Sequence, residues 1–213
     1  MEIKLNNFVK YNGFSVLVNF PLKLKDVKSN KNFGYVLDNV YKNRETVMEY
    51  LFFRSKLSND KIIQALQLVK LKSSLNDVFL CSLTKQEMKK VELAFVLLLQ
   101  SKVIVCEHFF DDLTYGEQDY FKRFFRNLIY KKNIAVILIE NNMNFVCETV
   151  KNFYLFTEDG KYKYIDNFYD DEIYKYVSMP FTVELVKYLE SKGHNIDHDV
   201  TFNETLKAIY RGV

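Results

Sequence analysis

The residues best suited to chemistry lie between Leu83 and Thr114. Glu107 and His108 place a carboxylate beside an imidazole, a pair of side chains used in acid–base catalysis and in metal binding. They follow Val103–Cys106, a short apolar run typical of a strand that is buried on both faces. Ligands bind at the carboxyl ends of strands in open α/β sheets, so we expect this pair at an edge that faces a ligand. Adjacent strand residues point to opposite faces, however, which argues against one shared metal.

A capped helix precedes this strand. Thr84 and Glu87 have the spacing of a capping box, in which the hydroxyl and the carboxylate each satisfy a free backbone N–H. Apolar residues then recur at helical spacing, at Met88, Val91, Ala94, Phe95, Leu98 and Leu99. The pattern predicts a helix that runs directly into the buried strand.

Similar patterns predict the remaining elements. Helices are predicted over residues 60–69, 116–131, 179–193 and 203–210, and a second buried strand over 134–139. The strand, helix and strand from 103 to 139 imply a parallel, right-handed βαβ unit. Two hairpins are predicted, one at Asn12-Gly13 and one at Asp159-Gly160-Lys161.

The bulk composition narrows the function classes. The chain has 213 residues, of which 27% are charged and 48% hydrophobic, as in globular proteins. Its 30 basic and 27 acidic residues leave a net charge of +3, which is too balanced to predict a nucleic-acid partner. We expect neither a secretory signal nor a membrane-spanning helix, since the apolar runs are short.

The order of these motifs resembles that of the ATPase subunits of ABC transporters. Residues 83–87 fall on the signature LSGGQ, 107–109 on the Asp-Glu-Pro that ends the Walker B strand, and 113–114 on the Leu-Asp of the D-loop. By the same resemblance, Asp38 replaces the Q-loop glutamine and Asn141 replaces the switch histidine. Tyr11 falls where the family stacks an aromatic ring on adenine, but without the family's phosphate loop we favour a hairpin tyrosine that packs on a sheet, and Tyr11 is then a relic of the adenine site.

The tail is similar to one branch of that family, the energy-coupling-factor (ECF) transporter ATPases. Residues 179–193 and 199–210 match the C-terminal extension through which those ATPases dimerise. The resemblance implies an α/β, ABC-ATPase-like fold derived from P-loop NTPases, with an antiparallel β subdomain. It implies an ATPase-like domain over 1–165, with a helical subdomain at about 40–100, and an ECF-type extension over 166–213.

The phosphate chemistry of the family is missing from the sequence. No GxxxxGK[ST] motif occurs, and residues 25–32 stand where the Walker A loop and its helix would begin. The resemblance therefore implies that this chain alone binds neither ATP nor Mg²⁺ and that no intact catalytic residue remains. Glu107, His108, Asn141, Asp38 and Thr114 are degenerate positions.

In the family, the signature of one subunit contacts the nucleotide held by its partner. Its residues can therefore keep a role even where the chain's own nucleotide site is lost. Thr84 keeps the hydroxyl, while Lys85 and Gln86 replace two glycines. We expect a contact in trans from these three residues to ATP and Mg²⁺ held by a partner; the alternative is that they serve as a helix cap and nothing more.

The resemblance implies a pseudo-ATPase subunit of an ECF-type transporter for micronutrient or ion uptake. It would form a heterodimer with a catalytic ATPase subunit and bind a transmembrane coupling subunit at the cytoplasmic face of the cell membrane. The alternative is an ABC-derived scaffold or adaptor that no longer serves transport. A weaker alternative is an enzyme that uses Glu107 and His108. His194 and His198 would form a zinc pair if helical, but we expect a solvated turn there.

Overall fold

The computed structural model describes residues 5–21, 32–37, 44–196, 198 and 202–212. They belong to two compact units. The larger comprises Glu2–Phe14 and Leu22–Leu138; the smaller comprises Met1, Ser15–Pro21 and Ile139–Val213. The division at residue 165 expected from the sequence stays a prediction. Among the described residues, the helices are too short or too polar to span a bilayer.

The described residues form a mixed α/β fold. The strands are β1 Phe14–Val18, β2 Phe33–Val36, β3 Val103–Glu107, β4 Ala135–Ile139, β5 Phe153–Phe156 and β6 Tyr162–Ile165. The α-helices are α1 Val47–Ser55, α2 Asn59–Leu68, α3 Lys85–Leu98, α4 Tyr115–Lys132, α5 Met143–Thr149, α6 Phe181–Ser191 and α7 Phe202–Gly212. Short 3-10 helices lie at Leu5–Phe8, Ser73–Leu75, Leu80–Ser82 and Asp171–Lys175.

The larger unit is built around three neighbouring strands and the helix α3. β2 pairs with β3 in parallel, from Phe33 opposite Val103 to Val36 opposite Cys106, and β4 is the next strand. α3 lies so close to β2 that a Cβ placed on Gly34 would come within 2.2 Å of Val96 Cγ1. A glycine is therefore required at this crossing of helix and strand.

Capping boxes begin three helices of the larger unit, α1 at Thr46, α3 at Thr84 and α4 at Thr114. Each box satisfies backbone N–H groups that a helix start leaves free. α1 and α4 both end at a residue in the left-handed region, Lys56 at φ 57° and Asn133 at φ 51°. The helix boundaries are thus set locally by sequence.

The smaller unit combines strands with the two C-terminal helices. β1 pairs with β5 in parallel, and β5 pairs with β6 in an antiparallel hairpin whose turn contains Gly160 at φ 76°. A glycine reaches this φ without strain. α6 and α7 pack around Val186, Ile196 and Ala208. The hairpin at 159–161 and both C-terminal helices are therefore confirmed.

The hairpin expected at Asn12-Gly13 is wrong. Leu5–Phe8 is a 3-10 helix, and β1, which follows the Asn-Gly pair, hydrogen-bonds in parallel to β5. All five residues of β1 are buried, so its apolar residues meet protein on both faces. An Asn-Gly pair favours a turn, but a hairpin also needs a strand on each side.

Candidate functional site

The first turn of α3 is closed by its own capping box, as expected. Thr84 Oγ1 accepts a hydrogen bond from the backbone N–H of Glu87 at 3.2 Å, and Glu87 Oε2 accepts one from the backbone N–H of Thr84 at 2.9 Å. Thr84 and Lys85 are exposed. A hydroxyl and an ammonium therefore stand at the positive end of the helix dipole, where negative charge is favoured.

Gln86, the third residue of the expected contact, bonds to the start of α4 instead. Its Nε2 donates to Glu117 Oε2 at 3.0 Å. The same carboxylate accepts from Thr114 Oγ1 at 2.8 Å and from Lys90 Nζ at 2.7 Å. Two positions matched to the signature and the D-loop, Gln86 and Thr114, thus meet at one carboxylate. Their role toward a nucleotide stays a prediction.

The Glu117 carboxylate accepts these hydrogen bonds in its ionised form. Burial alone would raise its pKa, but hydrogen bonds from Lys90 and Thr114 and the charge of Lys90 together lower the pKa to about 2. The Lys90 side chain is 7% exposed and that of Glu117 is 27% exposed, so water screens this ion pair only in part. At neutral pH, Glu117 is ionised and joins the starts of α3 and α4.

The acid and imidazole pair lies at the end of β3, as expected. Glu107 is the last residue of the strand, and His108 follows it in the left-handed region at φ 49°. His108 Nδ1 lies 3.2 Å from Asp111 Oδ2, and the His108 carbonyl accepts from Lys89 Nζ at 2.5 Å. Within the larger unit, the His108 imidazole and the Asp111 carboxylate offer two possible metal ligands. A closed zinc site has four.

Asn141, matched to the switch histidine, lies in the smaller unit and has a structural bond there. Its Oδ1 accepts from the backbone N–H of Asn19 at 2.9 Å. Asn19 is itself in the left-handed region at φ 56°, and its Nδ2 donates to the Tyr176 carbonyl at 3.2 Å. The amide side chain of Asn141 thus fixes the residue that follows β1.

The remaining candidates are Tyr11, Asp38 and the pair His194 and His198. Tyr11 belongs to the larger unit and is 50% exposed; the hairpin on which it was expected to pack is absent from the described residues, and its match to the adenine-stacking position stays a prediction. Asp38 lies outside the described residues, as does most of 25–32. His198 Nε2 lies 2.8 Å from Glu190 Oε1, and its ring stacks on Tyr169 at 3.8 Å.

Four polar residues of α3 and α4 at this site were missed by the sequence interpretation, namely Glu117, Lys89, Lys90 and Glu92. Glu117 has a readable signal, since Thr114 and Glu117 show the same T-x-x-E spacing as Thr84 and Glu87. Lys89, Lys90 and Glu92 do not, because a charge within a helix ordinarily indicates a solvated face. All three are buried, and Glu92 Oε2 accepts from the backbone N–H of Leu37 at 2.7 Å.

The fold is that of an ATP-binding cassette. CbiO1 from Clostridium perfringens, described as part of the ABC transporter complex CbiONQ, is similar over 86% of this chain and 89% of its own, with a TM-score of 0.60 and 14% identity. The cassette MJ0796, a dimer in a post-hydrolysis state bound to ADP and phosphate, is similar over 74% of this chain and 87% of its own, with a TM-score of 0.60 and 10% identity.

These similarities confirm the predicted fold class. No protein-family model matches the chain, and no curated protein matches its sequence. At such low identities the solved structures establish the fold, whereas function has to be argued from the residues.

Proposed function

We propose that this chain is the non-catalytic subunit of an ECF-type transporter and pairs with a catalytic ATPase. The observation that carries the proposal is the loss of catalytic groups beside a retained helix start. His108 and Asn141, which stand in place of catalytic groups, bond within the chain. Thr84 and Lys85, which would face a partner's nucleotide, lie exposed where α3 begins, with Thr84 as its cap.

The chain's own nucleotide site lacks the required chemistry. Phosphoryl transfer depends on a phosphate cradle, a metal ion and a group that orients the attacking water. The sequence has no GxxxxGK[ST] motif, and the Asn141 amide cannot act as a proton acceptor in place of an imidazole. We therefore expect ATP and Mg²⁺ to be bound by the partner subunit.

The C-terminal helices offer a surface for that pairing. α6 and α7 are held together by a small apolar core, so they form a defined helix pair. Among the side chains of these helices that the structure describes, three large aromatic ones are exposed, namely Phe181 (55%), Tyr188 (58%) and Tyr210 (85%). Aromatic residues are enriched at protein interfaces, so these residues support pairing through the tail.

The similar solved structures are consistent with such partners. MJ0796 is described as a dimer and CbiO1 as part of a larger transporter complex. By analogy, we propose a second ATPase subunit and a transmembrane coupling subunit as partners, with this chain at the cytoplasmic face of the membrane. Uptake of an ion or micronutrient is the expected activity of the assembly.

Two measurements test the proposal. In the first, the tagged full-length chain is purified from native membranes in mild detergent, and we expect a second ATPase and an integral membrane protein to co-purify. Recovery of soluble partners alone would favour a scaffold outside transport. In the second, Mg·ATP is titrated into the isolated chain by calorimetry. Binding at micromolar concentrations would contradict the loss of its own site.

A charge reversal tests the contact in trans. Lys85→Glu would replace attraction to a phosphate by repulsion, and one such contact is worth about 1 to 4 kcal/mol near a protein surface. We expect the ATPase rate of the assembled pair to fall at least about fivefold. Lys61→Glu, on the exposed face of α2, is the matched control and should leave the rate unchanged. An equal rate for both variants would reduce Thr84–Glu87 to a helix cap.

A further inference from the structure

Helix α3 carries three charged side chains that are almost completely buried. Lys89 is 5% exposed, Lys90 6% and Glu92 4%. They alternate with buried apolar residues such as Val91 and Leu93, so this stretch of α3 is buried on several sides. A buried charge is costly unless it is paired and hydrogen-bonded, and apolar residues of similar size often serve stability as well or better. We call these three residues the α3 charged row.

Each member of the row bonds to the end of a different element. Lys89 Nζ donates to the carbonyl of His108, directly after β3, at 2.5 Å. Lys90 Nζ donates to Glu117, in the first turn of α4, at 2.7 Å. Glu92 Oε2 accepts from the backbone N–H of Leu37, directly after β2, at 2.7 Å.

Two of these three attachment points lie at one edge of the sheet. β2 and β3 are parallel neighbours, with Val36 opposite Cys106, so the residues that follow them emerge at the same edge of the sheet. That edge, formed by carboxyl ends, is where open α/β sheets bind ligands. The third point, Glu117, also holds Gln86 of the first turn of α3.

We propose that the α3 charged row joins four parts of the larger unit into a single mechanical element. These parts are the ends of β2 and β3, the start of α4 and the first turn of α3. A displacement at Leu37 is then passed through Glu92 and α3 to Lys85. The coupling is a property of the chain alone. Its use rests on the proposed function, in which Lys85 faces the partner's nucleotide.

This proposal gives Glu92 and Lys90 the role of positioning residues. Their bonds are charge-assisted and shielded from water, so they resist local opening more than neutral bonds do. Because the three charges bond to three different elements, they favour one arrangement of those elements.

Hydrogen exchange on the isolated full-length chain tests the coupling. Glu92→Gln keeps the size of the side chain and removes its charge. We expect the Leu37 amide to exchange faster, which is a local effect, and the Glu117 amide, which belongs to the capping box of α4, to exchange at least about threefold faster as well. Glu49→Gln, which alters the α1 capping box, is the matched control and should leave both amides unchanged.

A second variant reads the coupling in the opposite direction. Lys90→Gln should accelerate exchange at Leu37 at least about threefold, although Lys90 bonds at the other end of the row. If each substitution changes exchange at its own partner and nowhere else, the coupling is refuted. If either variant fails to fold, the other still gives this distinction, because each has its own distal amide.

The assembled complex separates the two proposals. With the coupling present, Glu92→Gln should lower the partner's kcat with little change in its KM for ATP, because it acts through Lys85 and does not touch the nucleotide. Distal exchange changes without any effect on the partner's ATPase rate would support the mechanical element and refute its proposed use. An effect on the rate without distal exchange changes would overturn the mechanical element.

Discussion

Glu117 is the residue whose loss should best report how the starts of α3 and α4 are held together. It accepts hydrogen bonds from Gln86, Lys90 and Thr114, and its pKa is lowered from 4.5 to about 2. Glu117→Gln keeps the size and one acceptor oxygen but removes the charge. We expect the variant to fold and to be less stable at neutral pH.

The magnitude follows from the pKa. A fall from 4.5 to about 2, at 1.36 kcal/mol for each unit, corresponds to about 3 kcal/mol if the pair were fully shielded. The Glu117 side chain is 27% exposed, and water screens part of the attraction, so we expect about 1 to 2 kcal/mol. Because the pKa is lower in the folded chain, this contribution is present above pH 4.5 and is lost as the pH falls toward 2.

Urea denaturation at pH 7, 5 and 3.5 measures this contribution. The difference in unfolding free energy between wild type and Glu117→Gln should be nearly equal at pH 7 and 5 and at least about 40% smaller at pH 3.5. Glu87→Gln is the matched control, because Glu87 caps α3 in the same way and its capping-box bonds come from Thr84. A difference for Glu117→Gln that does not depend on pH would refute the reasoning.

Three further substitutions test individual contacts. Gly34→Ala should destabilise the chain by about 1 to 3 kcal/mol through overlap with Val96. Adding Val96→Ala to this variant should recover part of the lost stability in urea denaturation. If the costs of the two substitutions simply add, the overlap is contradicted. Asn141→Ala removes the acceptor of the Asn19 N–H and should cost about 0.5 to 1.5 kcal/mol, with faster hydrogen exchange at Asn19; equal exchange would disprove the bond. Thr46→Ala should lower stability by about 0.5 to 2 kcal/mol, whereas Thr46→Ser, which retains the hydroxyl, should not.

The parts of the fold that could be predicted from the sequence have short-range causes. The capping box of Thr84 and Glu87, the buried strand that ends at Glu107 and the turn at Gly160 each depend on residues within a few positions of one another. Periodicity reports which face of an element is buried, so α2, α3, α4, α6, α7 and the strands β3 and β4 were predicted close to their observed bounds, whereas α1 and α5 were not predicted.

The parts that could not be predicted depend on partners far away in sequence. The Asn12-Gly13 pair favours a turn, but the strand that follows pairs with β5 in parallel. Similarly, Glu92 meets the amide of Leu37, and Lys90 meets Glu117. A single sequence does not identify such partners, so it does not distinguish a charged residue that is buried from one that is solvated.

The discontinuous smaller unit has a consequence for how the protein is made. Residues 15–21 belong to this unit, yet nearly all of its other residues follow Leu138. The backbone of Asn19 bonds to Asn141, which is 122 residues later in the chain. During synthesis, β1 therefore emerges long before β5, and contacts of such large sequence separation form slowly. We expect the nascent chain to depend on chaperones until its last third has left the ribosome.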